Sequence, residues 1–494
     1  MSNLAGQAWL RERFELSVPE PAVISYVGPG TRRTVEREGR QEDHYPIHYS
    51  PDDTVSAHLR FALRYEPADF RILAGTFAQM DGDEIAQWVR ASPTSIYARR
   101  AWFLFETFTG RKLDLPETTS GGYVPALDSK LHITVESGVR SPRHRVLDNL
   151  LGNRHMCVTV RRTKRLEDLQ ARRPDQAARQ LLEQSGPELL ARAVSYLFTK
   201  ETRSSFEIEG EVPSSGRSER FVAALRGAAS FPTTDKNALL RLQSEIIDPR
   251  YALEDWRTFQ NFVGETVGGY RQHVHYVCPP PEAVPMLMVG WTTLASRLLT
   301  LTIDPVVAAA AISFAFVFVH PFDDGNGRVH RFLINNILAR LSYTPPGIVF
   351  PVSASIVRNL KDYDSALETF SQPVMNSIRW HLSTDEKVVV DSCDLNVYRY
   401  WDATALAEYL YERVDDAVHS DLKNELDFLA RYDRAIAAAR EIVDMPDRRA
   451  SLFVRFVLQN DGKLARRKRA DFPELSDDDV SQLEKAISRA AASE

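Results

Sequence analysis

Between His320 and Arg331 the chain reads His-Pro-Phe-Asp-Asp-Gly-Asn-Gly-Arg-Val-His-Arg, and almost every position could do chemistry. An imidazole with an unperturbed pKa of roughly 6.5 suits a general base, which makes His320 the candidate proton acceptor. Gly325, Asn326 and Gly327 form a turn whose glycines let the backbone approach a ligand and whose N–H groups bind anions. Arg328 and Arg331, three apart, share a helix face on which guanidinium forks can grip phosphate oxygens. Asp324 stands beside that anion site, where one carboxylate plus phosphate oxygens is the usual way to hold Mg²⁺. Each residue alone has a bland reading: a capping histidine, turn-forming glycines, solvated arginines. Their concentration in one short segment favours phosphate chemistry.

The elements that must position these groups follow from the flanks. Asp304 and Pro305 are an N-cap and first-turn pair, so a buried helix is predicted from Pro305 to about Val319, and Pro321 stops it. A second helix is predicted over Arg328 to Arg340. The catalytic candidates therefore sit in a helix–loop–helix.

The same stretch matches the HPFx(D/E)GNGRxxR signature of the Fic family without a mismatch, and the chain thus resembles Fic proteins. The resemblance implies a mainly α fold, with a Fic-type helical core and a small β-hairpin flap flanked by N- and C-terminal helical regions. It implies an enzyme that transfers AMP from ATP to a hydroxyl side chain of a target protein. By the resemblance, His320 is the base and Asp324 holds Mg²⁺ between the α- and β-phosphates. Gly325-Asn326-Gly327 is the anion hole, Arg328 supports the transferring and leaving phosphates, and Arg331 grips the γ-phosphate. Phe322 should anchor the loop, and Asn335 matches a helix asparagine near the nucleotide. Tyr363 is a candidate to pack on adenine, although an aromatic at helical spacing is more often core.

Upstream, Ser205-Phe206-Glu207-Ile208-Glu209-Gly210 fits the family's inhibitory pattern (S/T)xxxE(G/N). A Glu209 carboxylate paired with Arg331 would remove the γ-phosphate's partner and repel the nucleotide. The region from Gly268, Gly269, Tyr270 and Arg271 through Val274, His275, Tyr276 and Val277 looks like the Fic flap, which clamps a target segment by strand addition. His273 and His275 share one strand face, but no third metal ligand stands at sensible spacing, so a metal role there is set aside. The implied activity is a self-inhibited protein adenylyltransferase with ATP as co-substrate and Mg²⁺ as cofactor. The alternatives are AMP removal, transfer from another nucleotide, or a nucleotide-sensing regulatory or DNA-binding module.

Composition bounds the remainder. A chain of 494 residues, 44% hydrophobic and 26% charged, is read as a soluble protein of several domains. A formal net charge of −6 argues against a broad nucleic-acid surface. The three cysteines, Cys157, Cys278 and Cys393, are scattered, which points to a reducing, cytoplasmic setting. No signal peptide or membrane span is expected, and a homodimer would suit self-control. The domain expectation is an arm over 1–50, a mainly helical domain over 51–180, the Fic domain over 181–385 and a helical domain over 386–494. Residues 112–164, rich in Pro, Gly, Ser and short β-branched runs such as His132-Ile133-Thr134-Val135, are expected to form loops and a small hairpin, and a nucleic-acid reading helix is weighed at Ser95–Trp102, with plain helical packing preferred. The basic run Lys463 to Arg469 reads as a solvated face.

Overall fold

Residues 3–49, expected as an extended arm, fold into a small mixed sheet. The computed structural model describes residues 3–37, 40–268 and 271–492. Strands β1 (Asn3–Ala5), β2 (Val23–Gly28), β3 (Arg33–Arg37) and β4 (Arg40–Pro46) lie in the order β1-β2-β4-β3, with helix α1 (Gly6–Arg13) after the first strand. The β2–β4 pair is parallel and the others antiparallel. Only β2 carries the apolar alternation of a half-buried strand. Strands β3 and β4 are dominated by charged and polar side chains, which hid them from a periodicity reading.

The next four helices sit where their caps predict. Thr54, Asp69, Asp81 and Ser95 each accept a first-turn N–H at the starts of α2 (Val55–Tyr65), α3 (Phe70–Gln79), α4 (Gly82–Ala91) and α5 (Ile96–Thr109). Helix α5 is a packing helix. Arg99 and Arg100 are buried and donate to the carbonyls of Thr94, Gly122, Pro125 and Leu63. The loops and small hairpin expected over residues 112–164 are present: β6 (Val139–Ser141) and β7 (Val146–Asp148) pair antiparallel, with β5 (Val124–Pro125) on the other side of β7, followed by β8 (Cys157–Thr159), and His132 makes an isolated bridge to Arg161.

Helices α6 (Lys164–Ala171), α7 (Pro174–Glu183), α8 (Pro187–Ile208), α9 (Ser215–Arg226) and α10 (Lys236–Ile246) lead to a hairpin of β9 (Phe262–Val267) and β10 (Arg271–Val277). Gly269 and Tyr270, assigned to the flap from sequence, lie outside the described residues. Then come α11 (Val284–Thr300), α12 (Pro305–Val319), α13 (Asn326–Arg340), α14 (Val352–Arg358) and α15 (Leu360–Met375). Helix α12 is held at its start by Asp304 Oδ1, which accepts from the N–H groups of Val306 and Val307 at 3.0 and 2.9 Å. It is buried on nearly every side, as its unbroken apolar composition requires.

The chain closes with β11 (Arg379–Leu382), β12 (Val388–Ser392), α16 (Asn396–Arg399), β13 (Tyr400–Asp402), α17 (Thr404–Asp416), α18 (Lys423–Ile442), α19 (Asp447–Leu458) and α20 (Asp477–Ala492). Strand β13 pairs in parallel with the distant β8, Trp401 opposite Val158. That pairing sets Trp401 edge-on to Phe318 of α12 and near Phe370 of α15. One core runs from Leu10 to Leu426, and a second gathers Ala435, Ala439, Phe453, Val457, Phe472, Leu483 and Ile487. Residues 388–426, beyond the break expected at residue 386, contribute to the first of these cores. Among the described residues no helix is long and apolar enough to cross a membrane.

Candidate active site

The loop between α12 and α13 is built by its own side chains. Asn326 Oδ1 accepts from Phe322 N–H and its Nδ2 donates to Phe322 O, both at 3.0 Å, tying the turn into a ring. Asn326 is buried, so its side chain shapes the loop while its backbone N–H stays in the first turn of α13. Phe322 is fully buried between Trp256 and Phe316, ring centroids 5.5 and 5.8 Å away, as an anchor should be. Gly325 takes φ 88° at the N-cap of α13, and a Cβ there would meet Ile247 Cγ2 at 2.7 Å.

His320 ends α12 in the left-handed region, φ 52° and ψ 59°, which costs a non-glycine residue about 1–2 kcal/mol. Arg257 secures it: the buried guanidinium donates from Nε to His320 O at 2.7 Å, from Nη1 to Phe259 O and from Nη2 to Pro279 O, each at 2.7 Å. Arg257 N–H also donates to Pro321 O at 2.8 Å. No sequence signal pointed to Arg257, because it lies far from the motif in the chain. His320 Nδ1 stands 3.1 Å from Val317 O, so Nδ1 carries the proton and Nε2 is left as the free base. Burial lowers the imidazole pKa to about 4, the nearby Arg257 charge adding to the effect, while the Val317 bond, Glu209 and Asp324 oppose it. The ring is thus neutral at pH 7, the form a base needs.

Arg328 and Arg331 point from α13 into the protein and are almost fully buried. Arg331 meets the end of α8, where Nε donates to Ser205 Oγ at 3.0 Å and Nη2 to Ser205 O at 2.6 Å and Glu209 Oε1 at 2.7 Å. Burial pulls the Glu209 carboxyl up, but Arg331 and then Arg328 outweigh it and hold the group below the usual carboxylate range. Gly210, φ 69°, stops the helix immediately after Glu209. Gly327 makes the pairing sterically feasible, since a Cβ on it would lie 2.1 Å from Glu209 Oε1.

Arg328 is engaged through its two terminal nitrogens, while its buried Nε has no hydrogen-bond partner among the described residues. Its Nη2 donates to Asp324 Oδ1 at 2.6 Å and its Nη1 to Glu211 Oε2 at 3.1 Å. Glu211 went unnoticed in the sequence, although it sits two residues past Glu209 in a Glu-Gly-Glu run. Asp324 Oδ1 also accepts from Gly325 N–H at 2.5 Å. Among the described residues its Oδ2 has no hydrogen bond, which leaves one carboxylate oxygen at the anion turn and fits a hard cation with a single protein ligand.

Asn335, buried one turn further along α13, donates from Nδ2 to Glu201 Oε1 at 3.0 Å, and its Oδ1 is a buried acceptor without a partner. Such an orphan fits a ligand that brings a donor. Glu201 is fully buried, which pushes its carboxyl up to about 7 against the bonds from Ser353 and Asn335. Tyr363 is interior, its ring 6.4 Å from His330 and 6.0 Å from Tyr409. On the hairpin, Val274 is half-buried and His275 exposed. Tyr276 and Val277 are interior instead: Tyr276 donates to Phe318 O at 2.7 Å and Val277 O accepts from Tyr398 at 3.0 Å. Those two anchor the root of the hairpin, leaving Val274 and His275 as the accessible positions among the four expected to clamp a target.

Residues 233–338 match the sequence model of the Fic/DOC family. Over 120 residues the chain is 34% identical to protein adenylyltransferase fic-1 of Caenorhabditis elegans, covering 19% of this chain and 23% of that one. Protein adenylyltransferase Fic of Aedes aegypti is 32% identical over 114 residues, 22% of this chain and 23% of the relative. The match thus spans under a quarter of either relative's length. Among solved structures, a Fic family protein from Desulfovibrio desulfuricans G20 aligns at TM-score 0.37 and 20% identity over 65% of this chain and 84% of that one. Fic-1 of C. elegans aligns at TM-score 0.33 and 18% identity over 74% and 91%. The family match contains His320 through Arg331 and begins after Glu209. The segment that matches the Fic/DOC family model is therefore the one that carries the candidate active site.

Proposed function

We propose that this protein is a self-inhibited adenylyltransferase that moves AMP from ATP to a Ser, Thr or Tyr hydroxyl of a target protein or of itself. The observation that carries the reading is the double position of Arg331, which belongs to the phosphate face of α13 yet is held by Ser205 and Glu209 of α8. The relatives' name, protein adenylyltransferase, supports the reaction class.

His320 Nε2 takes the proton of the attacking hydroxyl, because Nδ1 is committed to Val317 O. The hydroxyl oxygen attacks the α-phosphorus in line, the bond from that phosphorus to the bridging oxygen breaks, and pyrophosphate leaves. The N–H groups of the Gly325-Asn326-Gly327 turn and Arg328 stabilise charge on the transferring and leaving phosphates, and Arg331 takes the γ-phosphate. Asp324 would hold Mg²⁺, which would supply neutralisation of the phosphate charge. Asn335 Oδ1 and Tyr363 receive the adenosine end, and the outer edge of β10 at Val274 and His275 holds the target strand. Glu209 on Arg331 keeps the γ-phosphate from its partner, so the arrangement described is the restrained one.

The test is transfer from α-labelled ATP with Mg²⁺ present, comparing wild type, Glu209→Gly and His320→Ala. Strong labelling by Glu209→Gly, weak labelling by wild type and none by His320→Ala is the expected outcome. Equal labelling by all three, or by none, would overturn the reading.

A further inference from the structure

The hairpin of β9 and β10 gathers a second donor set, away from the catalytic loop. Along the chain His273 and His275 lacked a third ligand; the fold supplies one from the opposite strand. Glu265 of β9 is the direct cross-strand partner of His273. His275, two residues on, shares the face of His273 because side chains alternate along a strand. Thr266 and Gln272 take the opposite face, hydrogen-bonded to each other through their side chains at 3.1 and 3.3 Å.

Two backbone features bring the three donors closer than a regular ladder would. The register slips so that Val274 pairs with Gly264 and Tyr276 with Val263, leaving His275 in a bulge without a cross-strand partner. A bulge bends and twists its strand and re-aims the extra side chain. Gly264 allows the strands to pinch here, since a Cβ on it would lie 2.3 Å from His273 O. As a result His273 Nδ1 and His275 Nε2 stand 3.6 and 3.9 Å from Glu265 Oε1. All three donor atoms lie within 4.8 Å of one another, and the imidazole centroids are 4.5 Å apart.

We propose that Glu265, His273 and His275 bind a borderline divalent cation, Zn²⁺ foremost, through two imidazole nitrogens and one carboxylate oxygen. Two histidines and a glutamate make a donor set suited to zinc, with the fourth position open to water or to a ligand from outside. Zinc at about 2.0–2.1 Å from each donor places tetrahedral donors roughly 3.3 Å apart, a contraction that half-exposed side chains reach by small rotations. Hard cations prefer sets made wholly of oxygen and are poor occupants. The bound ion cross-links the two strands of the hairpin, stiffening the element whose root is tied to His320's loop by Asn261, which donates to Phe322 O at 3.3 Å. The metal site itself does not depend on the adenylyl-transfer reading.

The experiment is titration of Zn²⁺ into the chelator-stripped full chain at neutral pH, read by competition with a fluorescent zinc indicator. Wild type is compared with Glu265→Gln and with the His273→Ala/His275→Ala pair. The expected result is one equivalent bound at micromolar affinity or better, at least tenfold weaker in Glu265→Gln and at least a hundredfold weaker in the double variant. Equal binding by wild type and the double variant would assign the metal to other histidines and overturn the proposal. So would loss in the double variant with none in Glu265→Gln, or wild-type affinity weaker than millimolar. The metal-free thermal melt, expected to coincide for all three proteins, separates lost ligands from a lost fold.

Discussion

Glu209 Oε1 lies 2.7 Å from Arg331 Nη2, over the one position of the first turn of α13 where the absence of a Cβ leaves it room. The pair is charge-assisted and reinforced by Ser205, whose hydroxyl and carbonyl both accept from the same guanidinium. Removing the carboxylate frees Arg331. Glu209→Gly is expected to raise AMP transfer at least tenfold over wild type, measured as initial rate with α-labelled ATP.

Gly327→Ala distinguishes steric from electrostatic control. The added methyl would overlap Glu209 Oε1 at 2.1 Å and crowd Arg331 Nη1 at 3.1 Å. It should expel Glu209 without restoring transfer, because the same methyl intrudes on the anion turn. Transfer at the level of Glu209→Gly would show that the turn tolerates the methyl.

Glu211 is the third acidic group on the arginine pair, after Glu209 and Asp324, with Oε2 3.1 Å from Arg328 Nη1. In the Glu209→Gly background, Glu211→Gln is expected to lower KM for ATP about threefold, since a partly exposed charge pair contributes on the order of 0.5–1 kcal/mol. The measurement is KM against kcat, and a fall in kcat instead would place Glu211 in the chemistry.

Arg257 holds the carbonyls of His320, Phe259 and Pro279 from a buried position. Arg257→Met should cost about 3 kcal/mol or more by leaving those acceptors unpaired, and should reduce transfer even where the fold survives. Chemical denaturation alongside the transfer assay checks both parts.

The pH dependence follows from His320. Its folded pKa of about 4 lies below the ordinary value of 6.5, so its contribution to stability is present above about 6.5 and is lost as pH falls towards about 4. For the Glu209→Gly enzyme, the acid limb of kcat/KM should fall well below pH 6. A limb at 6.5 or above would mean that the base is not the buried imidazole described.

The loop that carries the candidate catalytic groups was legible because those groups are contiguous, and contiguity survives in sequence. Capped helices were legible for the same reason: Ser95 and Asp304 announce their helices within three residues. What failed was long-range. Arg257 acquires its partners only when separate elements meet, and nothing local marks it; Glu211 beside Glu209 and Glu265 across one hairpin from His273 are near in sequence, but only the fold shows what they face. The β8–β13 pairing joins residues more than two hundred positions apart. The N-terminal sheet was missed for a different reason, since Arg33–Arg37 and Arg40–Pro46 are too charged to show a buried face.

Helix α8 has a mechanical consequence. It is 22 residues long, a rod of roughly 33 Å, with Glu209 at its tip and Arg192 near its base paired to Asp433 of α18 at 2.8 Å. Lys200, midway along, is fastened to Asp421 at 2.6 Å. A rod pinned at two points cannot swing its tip alone: either the last turn from Ser205 unwinds, or the whole beam tilts and drags on the C-terminal helices. Faster hydrogen exchange confined to residues 205–209 in the activated state would identify unwinding, and exchange along the full rod together with α18 would identify tilt.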